Sequence, residues 1–118
     1  MKIALSSKGN KNTDEMDPRF GRCANIIIYD TDSGEFEAAE NSSSQLSGGA
    51  GIQTAQFVVS KGVKAVISGS FGPNAFNTLK AAEIEMYTDA GGTVEEVIKR
   101  FKEGKLKKSE DAGASYKH

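Results

Sequence analysis

Lys64-Ala65-Val66-Ile67-Ser68-Gly69-Ser70-Phe71-Gly72-Pro73-Asn74-Ala75-Phe76-Asn77-Thr78-Leu79, running on through Ala82 to Ile84-Glu85-Met86-Tyr87-Thr88, settles how this chain is wound. Its apolar run predicts a buried strand over Lys64–Gly69, and its close predicts a short strand over Ile84–Thr88. Between them Gly72-Pro73 opens a helix, because proline at the first helical position gives up no needed donor. Ala75, Leu79 and Ala82 form that helix's inward face. Two strands joined by a helix run parallel, through a right-handed crossover.

The same alternation extends to both sides. Upstream, Lys2–Ser6 reads as a first strand and Asn25–Asp30 as a second, rich in β-branched and aromatic bulk at Ile26-Ile27-Ile28-Tyr29. Thr31-Asp32-Ser33-Gly34 has the composition of a hairpin turn, and Glu35–Asn41, weakly apolar with Phe36 and Ala38 on one face, reads as an edge strand. Ile52, Ala55, Val58 and Val59 recur at helical spacing and Gly62 stops that helix. Downstream, Thr93-Val94-Glu95-Glu96 is a capping box opening a third helix, with Val94, Val97, Ile98 and Phe101 as its stripe and Gly104 as its end. The expected architecture is an α/β five-stranded mixed sheet, strand 2 antiparallel to the others, flanked by three helices. Residues 1–104 form the single domain, and the lysine-rich stretch 105–118 is expected to be a disordered polar tail.

Composition bounds the function. The 118 residues are 37% hydrophobic and 26% charged, with no apolar run near the ~20 residues of a membrane span. The short apolar start, Met1 to Leu5, lacks the central segment of a secretory signal, so a cytoplasmic protein without a membrane partner is expected. One cysteine, Cys23, admits no internal disulfide and suits a reducing compartment. A formal charge of −1 provides no global basic field, so no nucleic-acid partner is expected and any anion site must be local.

Such a site belongs at the edge where the strand-to-helix loops emerge. Gly48-Gly49-Ala50-Gly51 precedes the first helix, Gly72-Pro73-Asn74 the second and Gly91-Gly92-Thr93 the third, offering three helix N-termini and close backbone approach to an anion. No Gly-Lys-Ser/Thr follows at P-loop spacing, so these are not a nucleotide motif. Arg19-Phe20-Gly21-Arg22-Cys23 adds two guanidiniums and a thiol whose pKa the arginines are expected to lower, making Cys23 the candidate metal ligand. A half-buried structural cysteine in a surface loop is the plainer reading of the same residues.

Taken in order, Phe20-Gly21-Arg22, Gly48-Gly49-Ala50-Gly51-Ile52, Gly72-Pro73-Asn74-Ala75-Phe76 and Gly92-Thr93-Val94-Glu95-Glu96 resemble the dinitrogenase iron-molybdenum cofactor biosynthesis family, the nitrogenase accessory proteins with a NifX-like cofactor-binding domain, from Met1 to about Lys105. The resemblance implies a ribonuclease H-like fold. It also implies a non-enzymatic carrier or assembly accessory for an iron–sulfur or molybdenum-containing cluster, acting with a cluster-assembly or acceptor protein. Arg19 stands where members tied to nitrogenase often carry a histidine, and the sole histidine is His118. Protein-built iron–sulfur clusters usually take about four cysteines. With one Cys and one His, holding by this chain is expected to be weak and electrostatic, in a monomer or weak homodimer.

Two other readings are weighed. A nuclease on such a sheet would need strand carboxylates clamping two metal ions, whereas strand 1 offers Ala4 and Ser6 and strand 4 offers Ser68. Asp14, Glu15, Asp17, Asp30, Asp32 and Asp89 read as ordinary solvated loop acids. A regulatory module binding a protein partner or a small anionic metabolite through the same loops is the alternative.

Overall fold

The computed structural model describes residues 1–44, 48–88 and 91–109. The elements follow as β1 (Lys2–Ser7), β2 (Asn25–Asp30), β3 (Phe36–Glu40), α1 (Ala50–Ser60), β4 (Ala65–Ser68), α2 (Pro73–Ala81), β5 (Glu85–Thr88), α3 (Val94–Lys102) and β6 (Lys107–Lys108). They build one mixed sheet in the order β3-β2-β1-β4-β5-β6. β1, β4 and β5 are parallel, and β2 runs antiparallel to both β1 and β3, as the reading of its reversed direction expects.

Why the central strands read as unbroken apolar runs is now visible. In β1, Ala4 joins the core on one face while Ile3 and Leu5 join the core on the other; in β4, Val66 opposes Ala65 and Ile67 in the same way. Strands buried on both faces have no polar face to alternate with. The first face is roofed by α1 and α2 through Ala55, Val58, Ala75, Phe76 and Leu79. The second is roofed, among the described residues, by α3 through Val94, Val97 and Ile98.

Three expectations are corrected. The sheet has six strands, not five: Lys107 and Lys108 pair antiparallel with Thr88 and Tyr87, so the first residues of the expected tail are ordered, while 110–118, with His118, lie outside the described residues. Ala82 is the exposed C-cap of α2, and Phe76 takes the inward place expected of it. Val59 is likewise exposed, and Thr54 is buried beneath α1 instead. Asp89 lies outside the described residues.

Candidate functional site at the strand edge

The long loop after β1 organises this edge. Its first half is spent on α3: Val94 N–H donates to Asp14 O at 2.9 Å, Glu95 N–H to Asn12 O at 2.8 Å and Met16 N–H to Gly92 O at 3.1 Å. Within the helix start, Glu96 N–H donates to Thr93 Oγ1 while Thr93 N–H donates to Glu96 Oε1, the reciprocal capping box. These bonds occupy the N–H groups with which α3 would hold an anion, and Glu95 and Glu96 in its first turn offset its dipole. Gly91, Gly92 and Thr93 are therefore not brought to the shared site, which corrects the expectation of three converging helix ends. The N–H donation from Thr93 is also the first cause holding the Glu96 carboxyl below its ordinary pKa.

The second half of the loop crosses to β4. Ser6 Oγ lies 2.6 Å from Asp17 O and 2.8 Å from Ser68 Oγ, and Phe20 and Pro18 exchange main-chain bonds with Ser70. That anchoring sets Phe20-Gly21-Arg22 against the starts of α1 and α2. The three segments enclose a cleft of about 290 Å³ lined by Arg19–Arg22, Gly49–Ile52 and Ser70–Ala75. Ten of the predicted site residues, Arg19, Phe20, Gly21, Arg22, Gly49, Ala50, Gly51, Gly72, Pro73 and Asn74, thus meet in one place.

Two glycines are required by this closeness. A Cβ on Gly21 would stand 2.9 Å from both N and Cα of Gly51, and a Cβ on Gly51 would stand 3.3 Å from the Ala75 Cβ. The loop and α1 main chains therefore approach to a distance that only bare main chain allows, and the Ala75 methyl of α2 crowds the other side of Gly51. Gly48 has open space around it and is not among the cleft's walls.

The helix ends in the cleft differ from that of α3. Neither α1 nor α2 has a side-chain cap, and neither has an acidic residue in its first turn. Their positive ends face the cleft uncompensated, a ready anion cradle. Arg19 and Arg22 also border a neighbouring recess of about 420 Å³ with Lys8, Asp17, Ala24 and Ser44. The guanidiniums are engaged. Arg19 Nε sits 3.3 Å from Asp17 Oδ1, and Arg22 donates to Ser44 O at 3.0 Å. Asp17 is buried, not the solvated loop acid expected, and it also accepts from Arg19 N–H at 3.0 Å.

Cys23 departs furthest from expectation. Its side chain points into the core between α1 and the sheet, its thiol donates to Phe20 O at 3.1 Å, and burial first, with the Asp17 charge second, pushes its pKa up to about 12. The expected lowering by the arginines is reversed, and a buried neutral thiol is a structural group rather than a presented metal ligand. No group of three or more His, Cys, Asp or Glu able to hold a metal ion occurs among the described residues.

Sequence reasoning missed Asn41. Buried at the end of β3, it donates to Cys23 O at 2.9 Å and Gly21 O at 3.2 Å and accepts from Thr54 Oγ1 at 3.1 Å, tying the Gly21 loop to α1. An asparagine closing a weak edge strand was the only signal. Lys8 and Ser70 were also missed, in a loop and a strand end without periodicity.

The sequence model for the dinitrogenase iron-molybdenum cofactor family matches residues 1–104. An uncharacterized protein of Methanocaldococcus jannaschii is 35% identical over 113 residues, 93% of this chain and 92% of that protein. The apo form of the orange protein from Desulfovibrio gigas superposes with a TM-score of 0.88 at 35% identity, covering 92% of each chain. A Thermotoga protein described as a candidate NifB protein superposes with a TM-score of 0.81 at 42% identity, covering 91% of each.

Proposed function

This chain belongs to the dinitrogenase iron-molybdenum cofactor family, and from that membership and the cleft we propose that it is a non-enzymatic carrier or assembly accessory for an anionic iron–sulfur or molybdenum-containing cluster. One observation carries the reading: two uncapped helix N-termini and the Arg19–Arg22 loop share a single cleft, while the third helix end is capped and removed from it. A cluster held there is cargo. It arrives with its own sulfide or thiolate ligands, because the one cysteine is sealed in the core, and main-chain N–H groups with Lys8, Arg19 and Arg22 neutralise its charge. Gly48 flanks the cleft at the entry to α1 and gives the approach room.

The reversed β2 among otherwise parallel strands supports a ribonuclease H-like classification, with β6 as an added edge strand. A cytoplasmic, reducing setting suits an anaerobic cluster and the unbridged Cys23. No helix among the described residues is long and apolar enough to cross a membrane. We take the carrier to work as a monomer or weak homodimer that passes its cargo to an assembly or acceptor protein.

The test is anaerobic purification from the native host with elemental analysis for iron and molybdenum, alongside desalting retention of added tetrathiomolybdate. Stoichiometric metal, reduced in an Arg19→Ala/Arg22→Ala variant, is expected. Metal-free protein that retains no tetrathiomolybdate at low salt refutes the proposal.

A further inference from the structure

A second cleft, of about 640 Å³, lies on the opposite face of the sheet. Its origin is the unequal roofing of the two faces. α3 is anchored toward the β5 side, where Phe101 meets Tyr87 edge-on with ring centroids 5.3 Å apart. Among the described residues no second helix covers β2 and β3 on this face. Tyr29 and Phe36 are direct cross-strand partners and so point to the same side, and Phe36 stays 39% exposed. One side of α3 forms the wall, with Glu95, Ile98, Lys99 and Lys102 at the three- and four-residue spacing of a single helix face. The loop at Asn10–Asn12 closes the end, held to α3 by the Glu95 N–H to Asn12 O bond.

The chemistry of this lining is specific. Lys11, Lys99 and Lys102 face it against a single carboxylate, Glu95, and none of the three has a carboxylate within salt-bridge distance among the described residues. Lys102 instead lies over the Tyr29 ring, 5.0 Å from its centroid, and donates to Tyr29 Oη at 2.8 Å. An aromatic floor flanked by ammonium groups that no carboxylate among the described residues neutralises matches a flat ring bearing negative charge. The volume falls in the ~300–1,000 Å³ range of small-molecule sites. We propose that this cleft binds a small planar aromatic anion, its ring against Tyr29 and Phe36 and its charged group toward Lys11 and Lys99. The site is separate from the cluster cleft and does not rest on that reading.

The test uses naphthalenesulfonate as the probe, followed by amide chemical shifts of the full chain. Neutral naphthol and inorganic sulfate serve as ring-only and charge-only controls. Saturable shifts confined to the neighbourhood of Tyr29, Phe36, Ile98 and Lys102, with both controls about tenfold weaker or more, are expected. A Lys11→Glu/Lys99→Glu variant should weaken binding about tenfold, and Phe36→Ala, an exposed position that leaves the core intact, should weaken it comparably. Naphthol binding as tightly as the sulfonate overturns the proposal, as do shifts centred on the Gly21 cleft, indifference to both variants, or displacement of the sulfonate from this cleft by tetrathiomolybdate.

Discussion

Gly21→Ala isolates the closeness on which the cluster cleft depends. The added methyl would sit 2.9 Å from N and Cα of Gly51 and 3.4 Å from the carbonyl carbon of Ala50, all of them main-chain atoms that no rotamer change can move aside. Unstrained carbon contacts need ~3.5–4.0 Å, so the loop and the start of α1 must part by roughly half an ångström or more. Such overpacking costs ~1–3 kcal/mol, and the stiffer unfolded chain returns ~0.4–1 kcal/mol of it. The net loss of about 1–2 kcal/mol corresponds to a fall in Tm of about 5–15 °C for a domain near 100 residues. Gly48→Ala is the matched control: nothing lies within 4 Å of its added carbon, and its Tm should hold or rise slightly. Gly51→Ala should fall between the two, since its neighbour is the Ala75 methyl at 3.3 Å. Circular dichroism melts give the stability, and desalting after tetrathiomolybdate loading gives the retention. If Gly21→Ala melts and retains cargo as Gly48→Ala does, the account of the cleft as built on the close approach of the Gly21 loop to α1 is wrong.

Asn41→Ala leaves the Gly21 and Cys23 carbonyls and the Thr54 hydroxyl without their shared partner, so a loss of about 2 kcal/mol, read by urea denaturation, is expected together with weaker cargo retention. Thr93→Ala removes the α3 cap and should cost about 1 kcal/mol, yet leave tetrathiomolybdate retention at the wild-type level, because α3 does not border the cleft. Cys23 in the folded protein should resist alkylation at pH 8, reacting only as fast as the chain opens, which is measured by comparing iodoacetamide rates with and without denaturant. Its thiol pKa is raised by folding from 9.0 to about 12, so the neutral thiol's contribution is intact below pH 9 and lost between there and about 12. Melts of wild type and Cys23→Ala across that range should converge as pH rises.

The fold was legible wherever apolar periodicity had a face to serve. β2 was read to the residue from its isoleucines, and α3 from its capping box and stripe. β6 was not, because two exposed lysines pair through main-chain groups and the Lys108–Glu85 ion pair and leave no hydrophobic signature. The cleft was legible in its glycines, which mark close approach, but not in its limits. That the loop at 12–16 caps α3 depends on where an aperiodic segment crosses the sheet, and sequence spacing carries no such information. Cys23 shows the converse error. Adjacency of Arg22 and Cys23 along the chain does not bring sulfur to guanidinium, because the Arg22 side chain goes out to Ser44 while the Cys23 side chain turns into the core.

The way charge is distributed over the cleft bears on what a carrier must do, which is to hold and then release. Arg19 is largely offset by Asp17, Arg22 donates to the Ser44 carbonyl, and Lys8 borders the same recess. To these the ends of α1 and α2 add roughly half an elementary charge each. The side-chain share lies at the surface, where a Debye length of ~8 Å at physiological ionic strength screens it, and it can be drawn away by an acidic acceptor. The main-chain share is fixed by the fold and points into the cleft itself. Cargo bound mainly by the first share would leave with salt, and cargo bound mainly by the second would not. The retention left after Arg19→Ala/Arg22→Ala in high salt therefore measures the helix ends' part directly, because no substitution of a side chain can take it away.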